Sequence, residues 1–284
     1  MQIQWYPGHM TKTRRQMEQD VKFVDLVAEV VDARIPRSSR NPDIDAMVGD
    51  RARMMIFNRA DQADPAQTDR WLAHYRGMGY AVLATDSKTG KGVGQFAAVV
   101  RAALADKLAR WRAQGQVGRP VRAMVVGVPN VGKSTLINRI ARRKSAKAGD
   151  RPGVTRGKQW VNVDSGLELL DTPGILWPKF EDETTGLHLA FTGAVKDKVM
   201  DSEALAAALM ELLRDRYPKA LAARYQLQVD PELPGWALLE QAGRRRGMLV
   251  SGGNVDTDRM ARVLLDEFRG GKLGRFTLEL PEEA

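Results

Sequence analysis

The sequence predicts an α/β domain with a mostly parallel sheet, followed by an all-helical domain. Three observations predict this fold class. Short apolar runs alternate with helical segments through the first 178 residues, a glycine-rich loop pattern stands between a strand and a helix, and strand signals nearly vanish after residue 179. Alternating strands and helices are typical of a parallel sheet covered by helices. We therefore expect one domain over residues 1–178 and a helical domain over residues 179–284.

Six strands are predicted, in two groups of three. The first group has short runs rich in β-branched and apolar residues at Val24–Val31, Met54–Phe57 and Ala81–Ala84. The second group comprises Val121–Val126, Gln159–Val163 and Leu167–Leu170. Helical periodicity predicts the intervening helices at Thr11–Val21, Pro65–Met78, Gly92–Trp111 and Thr135–Ala141. Four further helices are predicted in the second domain, at Ser202–Asp215, Pro218–Tyr225, Gly235–Arg246 and Thr257–Gly270.

Composition bounds the cellular context. The chain of 284 residues has no cysteine, which excludes disulfides and thiolate zinc sites and fits a cytoplasmic protein. No apolar run approaches the roughly 18 residues of a membrane span, so no membrane partner is expected. The net charge of +9 divides into +12 over residues 1–175 and −3 over residues 176–284. This asymmetry indicates either a polyanionic partner such as nucleic acid or a solvated basic face, and charge alone favours neither.

The strongest motif is Gly127-Val-Pro-Asn-Val-Gly-Lys-Ser134, which matches GxxxxGK[ST] between a predicted strand and a predicted helix. Its glycines allow successive N–H groups to surround phosphates, and the helix N-terminus adds a favourable dipole. Lys133 is expected to reach the β- and γ-phosphates, and Ser134 to bind Mg²⁺. The predicted nucleotide contacts of this phosphate loop are Asn130, Val131, Gly132, Lys133, Ser134 and Thr135.

Two further motifs suit a metal-dependent phosphate switch. Asp171-Thr-Pro-Gly174 follows a predicted strand, so Asp171 is placed to hold Mg²⁺ through water and the N–H of Gly174 to sense the γ-phosphate. Thr155 lies between this motif and the phosphate loop. It is expected to bring its hydroxyl to Mg²⁺ when the γ-phosphate is present. The alternative for Thr155 is an ordinary Gly/Pro-rich connection, but its position favours the switch.

Base recognition is predicted at Asn58-Arg-Ala-Asp61. A carboxylate at Asp61 can accept from N1–H and the 2-amino group of guanine, whereas adenine offers neither donor and would leave the carboxylate unpaired. Asn58 is expected to brace this loop, and the aliphatic stem of Arg59, which stands where lysine is usual, to lie over the base beside Ala60. Backbone N–H groups of Asp86 and Ser87 are expected at the guanine O6. GTP and GDP are therefore the predicted ligands.

The order of these motifs is rotated, because the base-recognition motifs precede the phosphate loop. In this respect the chain resembles the circularly permuted GTPases. Within them it resembles the ribosome biogenesis GTPase A family, through Trp5–Met10, Gly149–Thr155 and Asp171–Asp182. The resemblance implies a permuted GTPase domain that hydrolyses GTP and assists late maturation of the large ribosomal subunit, with its precursor and rRNA as partners. A GTP-dependent switch with another RNA or protein partner, a non-enzymatic nucleotide-binding module, and a membrane or signalling GTPase remain the alternatives.

The resemblance also bears on catalysis. Many GTPases place a water-orienting glutamine after the DxPG motif, but Ile175 stands there and cannot do this. The family pattern implies slow hydrolysis until a partner helps, with His9 as a candidate water-positioning group. The alternative for His9 is a structural role at the start of the first helix. Asn130 matches the phosphate-loop asparagine that helps related GTPases hold K⁺ beside the phosphates.

Several groups of basic residues are candidates for contacts with RNA phosphates. They are Arg34, Arg37 and Arg40, the stretch Arg139–Lys147, and the clusters Arg244–Arg246 and Arg259–Arg275. The exposed faces of amphipathic helices are the alternative explanation for the clusters of the second domain.

Overall fold

The computed structural model describes residues 9–142, 160–164, 166–177, 180, 182–195 and 201–283. The described residues fall into two compact units. The sheet unit contains those up to residue 177 together with 279–283, and the helical unit contains those from 180 to 278. The predicted boundary between residues 178 and 179 places all later residues in the helical domain, whereas residues 279–283 belong to the sheet unit.

The sheet unit contains the predicted six-stranded, mostly parallel sheet. Its strand order is β3-β2-β1-β4-β6-β5, with five parallel strands and β5 antiparallel to β6 at one edge. Every residue of β1 is buried, as the continuous apolar run predicts for a strand covered on both faces. The strands are β1 Leu26–Asp32, β2 Ala52–Asn58, β3 Ala81–Thr85, β4 Val121–Val126, β5 Trp160–Asp164 and β6 Leu167–Asp171.

Six α-helices lie in the described part of this unit: α1 His9–Asp20, α2 Asp43–Val48, α3 Pro65–Gly77, α4 Phe96–Ala103, α5 Ala105–Ala113 and α6 Lys133–Arg142. The prediction of a single helix over Gly92–Trp111 is wrong. A short 3-10 turn precedes α4, and the chain leaves helical geometry at Leu104 before α5 begins. Burial of Leu104 accompanies this bend. α2 was not predicted, since six residues are too few to show a helical period.

Two apolar clusters cover one face of the sheet, since Val27 in the first and Val31 in the second lie four residues apart in β1 and therefore point to the same side. In the first cluster Met17 and Val21, from α1 and the turn after it, pack with Val27, Met124 and other strand residues. In the second cluster the buried side chains Trp71 and Tyr75 of α3 pack with strand residues that include Phe57. The carboxyl ends of β1, β2, β3, β4 and β6 share one edge of the sheet. In open α/β sheets that edge is where ligands bind.

The helical unit contains α7 Glu183–Phe191, α8 Ser202–Arg216, α9 Pro218–Tyr225, α10 Gly235–Arg245 and α11 Thr257–Arg269. As expected, its described residues form no strand beyond an isolated bridge between Leu249 and Val255. α8 packs against α10 and α11, and a Cβ at Gly235 would overlap the carbonyl oxygen of Ala207. Among the described residues, no helix is both long and apolar enough to span a membrane.

Candidate nucleotide site

The phosphate loop joins β4 to α6, and its backbone requires the residues the motif provides. Gly127 and Gly132 have φ values of +149° and +93°, and Asn130 is also left-handed at +62°. A Cβ at Gly127 would overlap the carbonyl oxygen of Val30, and one at Gly132 would overlap the side-chain amide of Asn58. Glycine is therefore needed here for close packing as well as for its backbone freedom.

Lys133 lies at the start of α6 with its ammonium group buried in the loop. Its Nζ donates to the carbonyl oxygens of Gly127 at 2.9 Å and Val128 at 2.8 Å. Burial lowers the pKa of Lys133 to about 8, while the carboxylate of Asp171 opposes the shift. A phosphate brought to this ammonium would favour its charged form, because an opposite charge nearby stabilises the protonated amine.

The DTPG segment packs directly on the phosphate loop. A Cβ at Gly174 would stand 2.8 Å from the Nζ of Lys133 and 2.9 Å from the backbone of Pro129, so this position admits only glycine. Thr172 fixes the segment by donating from its hydroxyl to the carbonyl oxygen of Val125 at 2.6 Å. Asp171 ends β6, and burial raises its pKa despite the nearby lysine. Gly174 and Asp171 thus lie beside the phosphate loop.

A cavity of about 970 Å³ opens between these segments, a volume at the upper end of typical ligand sites. Ser134 and Asp171, the predicted Mg²⁺ ligands, both line it, and their oxygens fit a hard cation that keeps phosphate and water ligands. No cluster of three or more carboxylate or histidine side chains forms a metal site within the described residues. The remaining predicted ligand, Thr155, lies outside those residues.

One wall of the cavity was not predicted. α1 contributes Lys12, Thr13, Gln16, Met17 and Asp20 to its lining. Met17 is buried in the core cluster, which anchors the helix, and the amide of Gln16 donates to Asp20 at 2.9 Å. The sequence shows that α1 is a polar helix, but the packing that turns one face toward the phosphate loop depends on distant residues. α1 begins at His9, whose side chain lies outside the described residues.

The base-recognition segments meet at Asn58, which is buried at the end of β2. Its Nδ2 donates to the carbonyl oxygen of Val131 at 2.7 Å. Its Oδ1 accepts from the hydroxyl of Thr85 at 3.1 Å, and from the hydroxyl and the N–H of Ser87 at 2.6 and 3.2 Å. Asn58 therefore ties the phosphate loop to the loop after β3.

Asp61 lies at the surface beyond Asn58 and Arg59. Partial desolvation and the negative charge of Asp86 hold its pKa above the usual aspartate value. Asp86 itself closes the turn after β3, because its Oδ1 accepts from the N–H groups of Lys88 at 2.8 Å and Thr89 at 3.1 Å. The N–H of Asp86 donates to the carbonyl oxygen of Lys91, so in this structure the N–H groups of Asp86 and Ser87 both have acceptors within the protein.

Ile175, which follows the DTPG motif, is a core residue. Its side chain is 1% exposed and packs in the same core cluster as Met17 and Val21. Its carbonyl oxygen accepts from the side-chain amide of Asn41 at 3.3 Å. The residue that replaces the water-orienting glutamine is therefore a core residue that fixes the end of the DTPG segment.

The predicted RNA-contact arginines separate into paired and exposed ones. Arg34 is buried against Asp32, and Arg40 pairs with Glu29 and Asp45. The prediction that Arg34 and Arg40 contact RNA is therefore wrong, because both stabilise the fold. Arg37 is exposed. In the helical unit, side-chain ion pairs or backbone acceptors hold Arg244, Arg246, Arg262 and Arg269. Arg245 and Arg259 are exposed and take part in none of the ion pairs between described residues.

Comparisons with known proteins find similar chains and a similar fold. The sequence model of the family described as "50S ribosome-binding GTPase" matches residues 122–219. A ribosome biogenesis GTPase A of Priestia megaterium is 50% identical, covering 100% of this chain and 99% of that protein. Mitochondrial ribosome-associated GTPase 1 of Mus musculus is 33% identical, covering 97% and 89%. The crystal structure of GNP-bound YlqF from T. maritima superposes with a TM-score of 0.66 at 26% identity, covering 96% of this chain and 100% of that one.

Proposed function

The chain belongs to the ribosome biogenesis GTPase A family and is a GTPase, and from this premise we propose that it assists late maturation of the large ribosomal subunit. One observation carries the assignment of the site. Lys133, Gly174 and Asn58 bring the phosphate loop, the DTPG segment and the base-recognition loop into direct contact. Arg59 of the base-recognition loop lines the cavity together with the other two segments. The fold and order of these elements match those of a relative whose structure was solved with GNP bound.

Different residues of the site bind the phosphates, the base and the metal ion. Lys133 and the N–H groups of the phosphate loop neutralise the β- and γ-phosphates, and Asp61 selects guanine by accepting from its N1–H and 2-amino groups. Ser134 and Asp171 hold Mg²⁺, with Thr155 as a proposed third ligand. When bound, Mg²⁺ stabilises the negative charge that develops on the phosphate oxygens. The N–H of Gly174 then distinguishes GTP from GDP by its contact with the γ-phosphate.

Hydrolysis is proposed to be slow in the isolated protein. Ile175 is held in the core and cannot orient the attacking water, so the water-positioning group must come from elsewhere. We retain His9 for this role, since it begins the helix whose later residues line the cavity. If the His9→Ala variant hydrolyses GTP at the wild-type stimulated rate, His9 does not have this role. K⁺ bound beside Asn130 is proposed as a second source of charge stabilisation, which equal rates in sodium and potassium salts would exclude.

The proposed partner is a cytoplasmic precursor of the large ribosomal subunit and its rRNA. The names of the relatives support this proposal, and exposed Arg37, Arg245 and Arg259 offer phosphate contacts. The test is the GTPase rate of the full chain with large subunits, with their precursors, and with small subunits as a control. Stimulation by large-subunit particles alone is expected. Equal stimulation by both subunits, or by another RNA, would favour the alternative of a non-ribosomal partner.

A further inference from the structure

Asp32 ends β1 with a buried carboxylate that the nucleotide site as described above does not use. It is 2% exposed and in register with Asn58 of β2. Arg34 donates three hydrogen bonds to this carboxylate. Its Nε lies 2.9 Å from Oδ1 of Asp32, its Nη2 lies 2.7 Å from Oδ2, and its backbone nitrogen lies 3.0 Å from Oδ1. Burial opposes ionisation, but the guanidinium of Arg34 and its hydrogen bonds hold the pKa of Asp32 below the usual range. The carboxylate is therefore charged and fixed in place.

A second guanidinium approaches the same carboxylate from the base-recognition loop. The Nε of Arg59 lies 3.7 Å from Oδ2 of Asp32, and its Nη2 donates to the carbonyl oxygen of Asn130 at 2.8 Å. Arg59 and Asn130 both have left-handed backbones, with φ values of +58° and +62°. The side chain of Arg59 thus spans from the end of β1 to the phosphate loop. A backbone hydrogen bond from Ala33 to Asn58 at 2.9 Å ties the same strand ends together.

We propose that Asp32 is a positioning residue of the nucleotide site, acting through Arg59 to hold the base-recognition loop and the phosphate loop at a fixed separation. The proposal rests on the site assigned under the proposed function. The two loops follow β2 and β4, which flank β1 in the sheet, so ties made across the end of β1 help to set their spacing. A guanine nucleotide has to contact both loops at once, so this spacing contributes directly to affinity.

The inference also explains why arginine stands where lysine is usual. A guanidinium presents several donors in a rigid fork and can address a carboxylate and a carbonyl oxygen at the same time. A lysine ammonium is a single charge on a flexible stem and would have to favour one acceptor. The tie is independent of the γ-phosphate, so its loss is expected to weaken GDP and GTP binding equally.

The test is a double-mutant cycle in the full chain, read by titration with fluorescent GDP and with a fluorescent non-hydrolysable GTP analogue. Asp32→Asn and Arg59→Lys are each expected to raise Kd for both nucleotides by roughly 5- to 50-fold, and the double variant by no more than the larger single loss. Urea unfolding is measured for each variant. If Asp32→Asn does not fold, Arg59→Lys remains decisive, since it keeps the charge and removes the fork.

Asp45→Asn is the matched control, because Asp45 also pairs with two arginines of the sheet unit, Arg40 and Arg53, and neither of these belongs to the nucleotide loops. It is expected to leave both Kd values unchanged. A folded Asp32→Asn variant with wild-type affinity, losses that simply multiply in the double variant, or loss of GTP binding alone would overturn the inference. A wild-type chain that binds neither probe would instead overturn the proposed site.

Discussion

Arg139, in the helix after the phosphate loop, donates from Nε to the carbonyl oxygen of Ser87 at 3.3 Å, joining two segments that lie 52 residues apart in the chain. Its Nη2 also donates to the carbonyl oxygen of Lys88. Ser87 in turn donates to Asn58. The helix that begins in the phosphate loop therefore supports the loop predicted to contact the guanine O6.

Arg139→Met is expected to weaken binding of guanine nucleotides by about 3- to 20-fold, the loss of one or two hydrogen bonds that order a binding loop. Met keeps much of the apolar stem, so the fold is retained. Isothermal titration with GDP measures the effect. Arg122→Met is the control, since Arg122 pairs with Glu168 on the sheet. Equal affinities for both variants would contradict a role of Arg139 in the site.

Ile175→Gln is expected not to create a faster GTPase. The side chain lies in an apolar core cluster, so the introduced amide would be buried without an assigned partner. We expect the free energy of unfolding to fall by about 2–4 kcal/mol. Ile175→Val, which keeps an apolar side chain, should cost only about 0.5–1.5 kcal/mol. Urea unfolding and basal phosphate release check both points, and a stable Gln variant with faster hydrolysis would refute the orientation of Ile175.

Glu29 makes stability depend on pH. Burial in β1 raises its pKa to about 7, although Arg40, Arg53 and the N–H of Asn41 oppose the shift and Asp45 reinforces it. Between about pH 4.5 and pH 7 the carboxyl group of Glu29 is ionised in the unfolded chain but keeps its proton in the native chain. The native state thus binds more protons, and stability falls as pH rises through this window.

Glu29→Gln removes this titration while leaving an acceptor for Asn41. The stability of the variant relative to wild type is expected to rise between about pH 4.5 and pH 8, by at most about 3 kcal/mol. Guanidinium unfolding at several pH values measures this difference, and Glu168→Gln, beside Arg122, serves as the control. A difference between Glu29→Gln and wild type that does not change with pH would show that Glu29 is ionised throughout.

The parts of the site that could be predicted from the sequence are those formed by a short run of neighbouring residues. The phosphate loop and DTPG motif were predicted because their function demands particular residues at fixed spacing. The buried pair of Asp32 and Arg34 was missed, since two charged residues after a strand look like an exposed turn. The role of Ile175 was read only as a missing glutamine, because the core in which it packs is assembled from α1, α2 and three strands.

Glu279, in the segment that returns to the sheet unit, shows most clearly what the sequence cannot predict. Glu279 is 5% exposed in the sheet unit, and its carboxylate accepts from the N–H groups of Arg37 at 2.7 Å and Ser38 at 3.1 Å, more than 240 positions away. The indole N–H of buried Trp71 donates to its carbonyl oxygen at 3.1 Å. No local pattern marks such a residue, since its partners are known only after folding.

Glu279→Ala is therefore expected to destabilise the sheet unit by about 2–3 kcal/mol, because it leaves two backbone donors and the hydroxyl of Ser38, which also donates to this carboxylate, without their charged acceptor. Glu282→Ala, which removes an exposed pair with Arg70, should cost much less, because surface ion pairs contribute little to stability. Urea unfolding followed by tryptophan fluorescence compares them. Nucleotide affinity should fall with Glu279→Ala as well, because the turn that Glu279 holds continues into Ser39, whose hydroxyl oxygen accepts from the N–H of Asp32 at 2.9 Å. Equal stability of the two variants would mean that Glu279 is a surface residue in solution.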